Sequence, residues 1–295
     1  ARAFPDRDQA LLRRGGARQL PRPSPNTPRY PRNHRVPGER CVGGKGGVGP
    51  LDRTRVALIA TTDEETGSAT TRTLIEDVSK IAKAVLVLES AIDGKLKVGR
   101  KGTSWYRITI HGRAAHAGLE PEKGVNATVE VARIVNVLAK LENKSLGTSV
   151  VPTTMTSGTT TNTVPALATL DIDSRSFSLD EMQRIDSAIR SITPIHPDAR
   201  IEIAGGINRP PLETSATLPL YQLAEKLAKD AGISTLGSAS VGGASDGNFA
   251  AAAGAKVLDG LGAIGDGAHA LNEQVSISGM DSQIKLLNQF VKDLL

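Results

Sequence analysis

Acidic side chains follow two apolar runs of the sequence, at the points where buried strands are expected to end. Residues 56–60 lead into Glu64 and Glu65, and residues 84–88 lead into Glu89. Open α/β sheets place their active sites at the carboxyl ends of their strands. Two adjacent carboxylates there repel one another unless a cation or a proton intervenes. These residue types and positions therefore indicate acid–base or metal chemistry at one edge of a sheet.

Other polar residues are suited to such chemistry, but each has an ordinary structural alternative. The Arg175 guanidinium fits bidentate recognition of a carboxylate, yet Asp173 on the same strand face is placed to pair with it. His116 lies among small residues and His269 follows a glycine-containing stretch, where turn and loop histidines are common. Acidic pairs after a strand are often solvated residues that favour the dipole of the next helix. Glu89 alone is typical of a loop.

The elements that must position these residues alternate between strands and helices. A buried strand at 56–60, a helix at 69–83 and a buried strand at 84–88 form a β-α-β unit. The same rhythm resumes after residue 212, with a helix at 217–231, a strand at 234–239, a helix at 246–253, a strand at 257–258 and a helix at 279–294. We expect Asp246 to be the N-cap of its helix and to have a structural role.

Residues 101–211 have a different rhythm. Their expected elements are a strand at 106–110, a helix at 122–142, strands at 149–157 and 166–174, a helix at 179–192 and a strand at 200–204. This βαββαβ order is that of a ferredoxin-like domain. The apolar face of its first helix includes Val129 and Leu138. We therefore predict an α/β domain, 55–100 and 212–295, that is interrupted by a ferredoxin-like domain, 101–211.

Charge is divided unevenly along the chain. The 295 residues have a net charge of +5, but residues 1–55 hold 13 basic and 4 acidic side chains, whereas the remaining 240 hold 23 and 27. The part that is expected to fold is therefore mildly acidic. Its few aromatic residues argue against a platform that stacks single-stranded nucleic acid. No apolar run approaches the ~18 residues of a membrane span, so we expect a soluble protein with neither a nucleic-acid nor a membrane partner.

Residues 1–54 form an unpatterned segment that is rich in arginine, proline and glycine. Up to Arg55, twelve of the 13 basic residues are arginine, and eight of the chain's 16 prolines lie there. Three explanations stay open: a disordered tail, a basic arm that binds phosphates, and a wrong reading frame translated from GC-rich DNA. The segment lacks the apolar region of a signal peptide, which favours a cytoplasmic location. Its lone Cys41 excludes a disulfide framework.

Four phrases in the chain carry a family resemblance. In order they are Asp-Glu-Glu at 63–65, Gly-Arg-Ala-Ala-His-Ala-Gly at 112–118, Asn-Thr-Val-Pro-Ala at 162–166 and Gly-Gly-Ala-Ser-Asp-Gly at 242–247, the last followed by Asp-Gly-Leu-Gly at 259–262. Together they resemble the zinc-dependent aminoacylase, acetylornithine deacetylase and glutamate carboxypeptidase family. The Asp-Gly-Leu-Gly ending is most similar to the glutamate carboxypeptidase branch. The resemblance covers about residues 55–295.

In that family a binuclear zinc site lies in the α/β domain, and the ferredoxin-like insert serves as lid and dimer interface. The resemblance implies roles for seven residues of this chain: Glu64 as general base, Glu65, Glu89 and His269 as metal ligands, His116 and Asn162 as stabilisers of the tetrahedral oxyanion, and Arg175 as the binder of the substrate's carboxylate. A zinc held by Glu65 would lower the pKa of its bound water to about 7. Glu64 would then accept a proton from that water and pass it to the leaving amine.

Two further motifs of the family, His-x-Asp and Asp-x-Lys-Gly-Gly, are incomplete upstream of these residues. Gly43 stands at the aspartate position two residues before Lys45, and the only histidine there, His34, is followed by Arg35 and Val36. Catalytic zinc normally has three protein ligands. We therefore predict at most one weakly held zinc ion per subunit, where the family has two. A frame error explains the missing ligands, and a degenerate relative is the competing explanation.

The resemblance implies a metal-dependent hydrolase that cleaves an amide beside a free carboxylate, such as that of a C-terminal glutamate. Its substrates would be small peptides or N-acyl amino acids. We expect a homodimer through residues 101–211, because an isolated four-stranded sheet leaves unpaired strand edges. The alternative from another class is a non-catalytic dimerising or ligand-binding relative that has lost its metal site. A nucleic-acid binder that acts through its basic arm is a third hypothesis.

Overall fold

A computed structural model describes residues 56–233 and 236–295, and nearly all of them lie in one compact unit, Ile59–Leu295. The predictions for residues 1–55, which include the incomplete metal motifs and the basic segment, lie outside the described residues. No helix in the described ranges has the length and hydropathy that a membrane span requires.

The α/β part contains short strands, and the insert contains four longer ones. The strands are β1 (Val85–Leu86), β2 (Ala91–Ile92), β3 (Leu96–Arg100), β4 (Gly102–His111), β5 (Ser149–Ser157), β6 (Leu167–Ser176), β7 (Arg200–Arg209), β8 (Ser238–Val241), β9 (Val257–Leu258), β10 (Ile264–Asp266) and β11 (Gln274–Val275). The helices are α1 (Arg72–Ile81), α2 (Ala127–Leu138), α3 (Leu179–Arg190), α4 (Thr214–Asp230), α5 (Asp246–Ala252) and α6 (Ile277–Leu294). The predicted mixed α/β fold with a βαββαβ insert is confirmed.

The insert is a four-stranded antiparallel sheet in the order β5-β6-β4-β7, with α2 and α3 on one face. Alternate residues of β4 and β6 are buried, as the period of two requires when one face packs on helices. On β4 these include Ile108 and Ile110, which pack in one core with Ile134 of α2 and Ile189 of α3. Because both central strands are long and continuously paired, their side chains are held in a fixed register.

The prediction of which residues of α2 face the core is wrong in part. The helix begins after Asn126, whose side chain accepts hydrogen bonds from two backbone N–H groups of the first turn. Its buried stripe contains Val131, Ile134 and Leu138, whereas Val129 is 63% exposed. Two apolar stripes share this helix, and only the stripe that faces the sheet is buried. Periodicity alone does not distinguish between them.

The α/β part is built from short parallel pairs. β1 pairs with β9, β3 pairs with β8, and β10 pairs with β2 in parallel and with β11 antiparallel. Val257 and Leu258 are consecutive on β9 and point to opposite faces. Leu258 packs in the core formed with α4 and α6, and Val257 packs in the core formed with α1 and α5. Helices therefore cover both faces of β9.

Three predictions for this part need correction. Residues 56–60 form no strand, because an apolar run becomes a strand only where a neighbour completes its hydrogen bonds, and no described strand pairs with it. The predicted strand at 84–88 is reduced to the two residues of β1. Ser245, not Asp246, is the N-cap of α5, since its hydroxyl accepts a hydrogen bond from the Gly247 N–H at 3.2 Å. The strand predicted at 234–239 includes two residues outside the described ranges.

The four-stranded sheet is joined to the α/β part by two chain segments, residues 100–102 and 209–212, which we call the junction. Arg100 and Leu212 exchange two backbone hydrogen bonds of 3.0 Å across it. The buried side-chain amide of Asn248 donates to the carbonyl of Lys101 at 3.2 Å and to that of Pro210 at 2.8 Å. One side chain of α5 therefore ties both connecting segments.

Candidate active site

The predicted acidic pair lies in a turn that the next helix holds firmly. Glu64–Thr66 is a single 3-10 turn, which ends at Gly67 with a φ of 98°, a value that favours glycine. The Asp63 carboxylate accepts hydrogen bonds from the Thr70 backbone N–H at 2.8 Å and from the Thr71 hydroxyl at 2.6 Å. These bonds hold the pKa of Asp63 at about 2. We call residues 61–70 the Glu64 loop.

The side chains of Glu64 and Glu65 point to different partners. The Glu64 carboxylate (Oε1) lies 3.2 Å from Nη2 of Arg209, which also donates to the Glu64 carbonyl at 2.7 Å. The exposed Glu65 carboxylate lies 3.8 Å from Nε2 of His269, which is also exposed. The chain thus brings two predicted metal ligands, Glu65 and His269, into contact across 204 positions of sequence.

Partial burial raises the pKa of Glu64, and nearby carboxylates, that of Glu89 foremost, raise it further. The positive charge of Arg209 acts in the opposite direction. Glu64 is therefore a partly buried carboxylate beside the Arg209 guanidinium, with other carboxylates near enough to raise its pKa.

Glu89, the third predicted ligand, faces a cation. Its carboxylate lies 3.6 Å from Nη2 of Arg100, whose guanidinium forms a forked pair with the buried Asp259 at 2.7 and 3.0 Å. Within residues 56–233 and 236–295, no three histidine, cysteine or acidic side chains are grouped as a metal site requires. Catalytic zinc takes three protein ligands, and the Glu65–His269 pair supplies two. The described residues do not by themselves fit the zinc site that the resemblance implies.

His116 and Asn162 lie together in the insert. The His116 Nδ1 accepts hydrogen bonds of 3.1 Å from the N–H groups of Gly118 and Leu119, and the Ala117 N–H donates to the Asn162 carbonyl at 2.8 Å. Since Nδ1 accepts, the proton of the neutral imidazole is on Nε2. That nitrogen is then a donor, as an oxyanion stabiliser must be.

This His116–Asn162 pair lies at the opposite end of the insert from Glu64. Arg209, the partner of Glu64, is paired with Thr103 at the start of β4, and the His116 segment follows His111 at its end. Eight residue steps of strand separate these ends by roughly 26 Å. Beyond His111 the pairing continues outward, since the Ala115 carbonyl accepts from the N–H of Val164 at 2.9 Å. The two predicted catalytic groups of one chain are therefore not brought together.

Arg175 lies at the Glu64 end of the sheet, opposite Thr103, but its fork is occupied. Its Nε and Nη2 donate to the two oxygens of Asp173 at 2.8 and 3.0 Å, so the two residues pair as their shared strand face predicts. Its Nη1 donates to the carbonyl of Gly242 at 3.2 Å. Arg175 therefore links the sheet to the Gly-Gly-Ala-Ser-Asp-Gly phrase.

Sequence reasoning missed two residues that contact the Glu64 loop. Arg209 contacts Glu64 across 145 positions, and no motif marks it. Asp246 was assigned to a cap, but its carboxylate accepts hydrogen bonds from the hydroxyls of Thr61 at 2.9 Å and Ser68 at 2.5 Å. Of the two, only Asp246 could have been found from the sequence, because it lies in one of the four phrases that carry the family resemblance.

Known proteins resemble this chain in sequence and in fold. Residues 98–196 match the family described as the peptidase dimerisation domain. Carboxypeptidase G2 from Pseudomonas sp. (strain RS-16) is 32% identical over 256 residues, which are 83% of this chain and 61% of that protein. The chain thus spans about three-fifths of the length of this relative.

Solved structures share the fold at lower identity. Aminopeptidase PepT from Bacillus cereus ATCC 10987 superposes with a TM-score of 0.62 at 23% identity, over 79% of this chain and 63% of that one. A tripeptidase from Staphylococcus aureus subsp. aureus Mu50 superposes with a TM-score of 0.63 at 19% identity, over 79% and 62%. These likenesses extend across both the insert and the α/β part.

Proposed function

We propose a function for this chain from its confirmed resemblance to the aminoacylase, acetylornithine deacetylase and glutamate carboxypeptidase family. The chain is an amide hydrolase of this family, and it acts beside a free carboxylate, as on a C-terminal glutamate. Small peptides and N-acyl amino acids are the substrate class. The proposal rests on the different directions of two adjacent carboxylates. Glu64 points to Arg209, and Glu65 points to His269.

Glu64 is the proposed general base. A carboxylate in this position accepts a proton from an attacking water and returns it to the leaving amine, a role that typically contributes 10²–10⁴-fold. The neighbouring Arg209 cation favours the ionised carboxylate that such a role needs. His116 Nε2 and Asn162 are the proposed donors to the oxyanion.

These donors must come from a second copy of the chain, because His116 lies roughly 26 Å or more along the sheet from its own Glu64. A homodimer through residues 101–211 supplies them. The matched dimerisation domain supports this proposal. The outer edges of β5 and β7 support it too, because no strand of the described residues pairs with either edge.

We further propose that Glu65 and His269 hold at most one zinc ion, and hold it weakly. Their contact supports a shared ion, and two ligands are fewer than the three that catalytic zinc takes. Glu89 remains a candidate ligand only if it leaves Arg100. For Arg175, we propose that an incoming carboxylate replaces the Asp173 carboxylate in the guanidinium fork.

Hydrolysis of an N-acyl-glutamate by the full chain with added zinc tests the proposal. Glu64→Gln should lower the rate about 100-fold or more, while Glu122→Gln, an exposed acid in a 3-10 turn of the insert, should leave it unchanged. Equal rates for wild type and Glu64→Gln would contradict the role of Glu64.

The second candidate is a ligand-binding relative without catalysis. The absence of a three-ligand group from the described ranges favours it. It predicts saturable binding of N-acyl-glutamate without any release of the amine, with or without zinc. A measured product would exclude it.

A further inference from the structure

We propose that Arg209 is a positioning residue that fastens Glu64 to the end of the four-stranded sheet, so that the proposed base and the sheet move together. This inference rests on the role proposed for Glu64. Arg209 contacts that residue and lies at the last position of β7, where the junction begins.

The contacts of Arg209 reach the backbone and the side chain of the base. Its Nη2 donates to the Glu64 carbonyl at 2.7 Å and to the Ser68 hydroxyl at 2.8 Å. The same nitrogen lies 3.2 Å from the Glu64 carboxylate and 3.6 Å from that of Asp246. Arg209 is only 5% exposed, so these charged contacts have little competition from water.

An aromatic ring fixes the orientation of the guanidinium. Arg209 and Arg72 both lie against the ring of the fully buried Phe249, at 5.3 and 4.9 Å from its centroid. Arg72 also donates to the Asn208 carbonyl at 3.3 Å. The guanidinium of Arg209 is thus held by packing as well as by its acidic partners.

A second contact joins the Glu64 loop to the sheet. A Cβ atom placed on Gly67 would lie 3.2 Å from Cζ3 of Trp105, so the indole of β4 packs directly on the turn that carries Glu64. Strands β4 and β7 therefore both contact the loop. Displacement of the sheet would displace Glu64 with it.

Hydrogen–deuterium exchange of the full chain tests the inference without requiring catalysis. Loss of a buried charge-assisted bond should speed exchange in residues 63–70 about tenfold in Arg209→Gln. Exchange in α2 should not change. Arg209→Lys keeps the charge but loses the planar guanidinium that lies against Phe249, so it should restore part of the protection.

The matched control is Arg107→Gln, which removes an exposed forked pair with Asp171 from the same sheet. It should leave residues 63–70 as protected as in wild type. The chain has a single tryptophan, Trp105, and its fluorescence should change in Arg209→Gln, because its indole packs on Gly67 of the Glu64 loop.

A double-mutant cycle with Glu64→Gln identifies the partner. If Arg209 acts through Glu64, the effects of the two substitutions on exchange are non-additive. Additive effects, wild-type protection in Arg209→Gln, or equal acceleration of the loop and α2 in Arg209→Lys would each overturn the proposal. Failure of the hydrolysis test for Glu64 leaves these readouts intact, so the two failures are distinguishable.

Discussion

Glu64 and Glu65 are neighbours in sequence, yet one carboxylate is held by a buried guanidinium and the other meets an exposed imidazole. The 3-10 turn produces this divergence, since successive side chains of such a turn point about 120° apart. Substitutions at the two positions should therefore have separable effects, on proton transfer for Glu64 and on metal binding for Glu65.

Zinc binding should depend on the Glu65–His269 pair. We expect at most one zinc ion per chain, which a mild chelator removes, and we expect Glu65→Ala or His269→Ala to abolish its binding. Elemental analysis and calorimetric titration measure this, with Glu122→Ala as the control. Two tightly held ions per chain would show that ligands other than those identified complete the site.

The carboxylate role of Arg175 predicts a graded series. A charge-assisted forked contact is worth roughly 1.5–3 kcal/mol, or about ten- to a hundredfold in affinity. Calorimetric titration with N-acyl-glutamate should show that loss in Arg175→Ala and a smaller loss in Arg175→Lys. Asp173→Asn should tighten binding, because it weakens the competitor in the fork. Equal affinity of all four proteins would leave Arg175 as a structural link.

Acid stability should report on Asp171. Hydrogen bonds from Arg107 and Thr154 lower the pKa of Asp171 from 3.8 to about 2. A lowered pKa in the folded state stabilises the protein above pH 3.8, and this contribution is lost as the pH falls through about 2. The stability difference between wild type and Asp171→Asn should therefore shrink between pH 4 and pH 2. Urea unfolding at several pH values measures it, and a constant difference would contradict the assignment.

The elements of the insert could be predicted well because each long strand and helix has a strong period of its own. The predicted strand at 149–157 coincides with β5. The strand predicted at 56–60 is absent because strand formation depends on distant partners, and the strand predicted at 84–88 is limited to the two residues of β1. The same reasoning applies to the site. Motifs indicated Glu65 and His269, whereas the contact of Arg209 with Glu64 arises only from the packing of the junction.

The two stripes of α2 predict different costs of truncation. Ile134→Ala should lower the free energy of unfolding by about 2–5 kcal/mol, because the residue is fully buried in the core of the insert. Val129→Ala should cost under about 0.5 kcal/mol, because its side chain is exposed. Denaturant titration distinguishes them. Similar costs for both would show that Val129 is covered in solution.

At the scale of the whole molecule, the roles proposed for His116 and Glu64 need a second copy of the chain, because these residues lie at opposite ends of the insert. We expect a dimer at micromolar concentration by light scattering, both for the full chain and for residues 101–211 alone. If residues 101–211 form a dimer and the full chain does not, residues outside the insert prevent the dimer from forming. Monomers in both cases would contradict the dimer and, with it, the oxyanion role of His116.

The tie that Asn248 makes to the two junction carbonyls has a mechanical consequence. Because one side chain holds both junction segments, the insert can rotate about that point but can hardly shift relative to it. The four-stranded sheet can then rotate as a rigid body about the side-chain amide of Asn248. A twist of about 5° over an arm of roughly 26 Å displaces its tip by on the order of 2 Å. His116 lies near that tip, so the largest displacement falls on the residue that we propose a second copy of the chain receives.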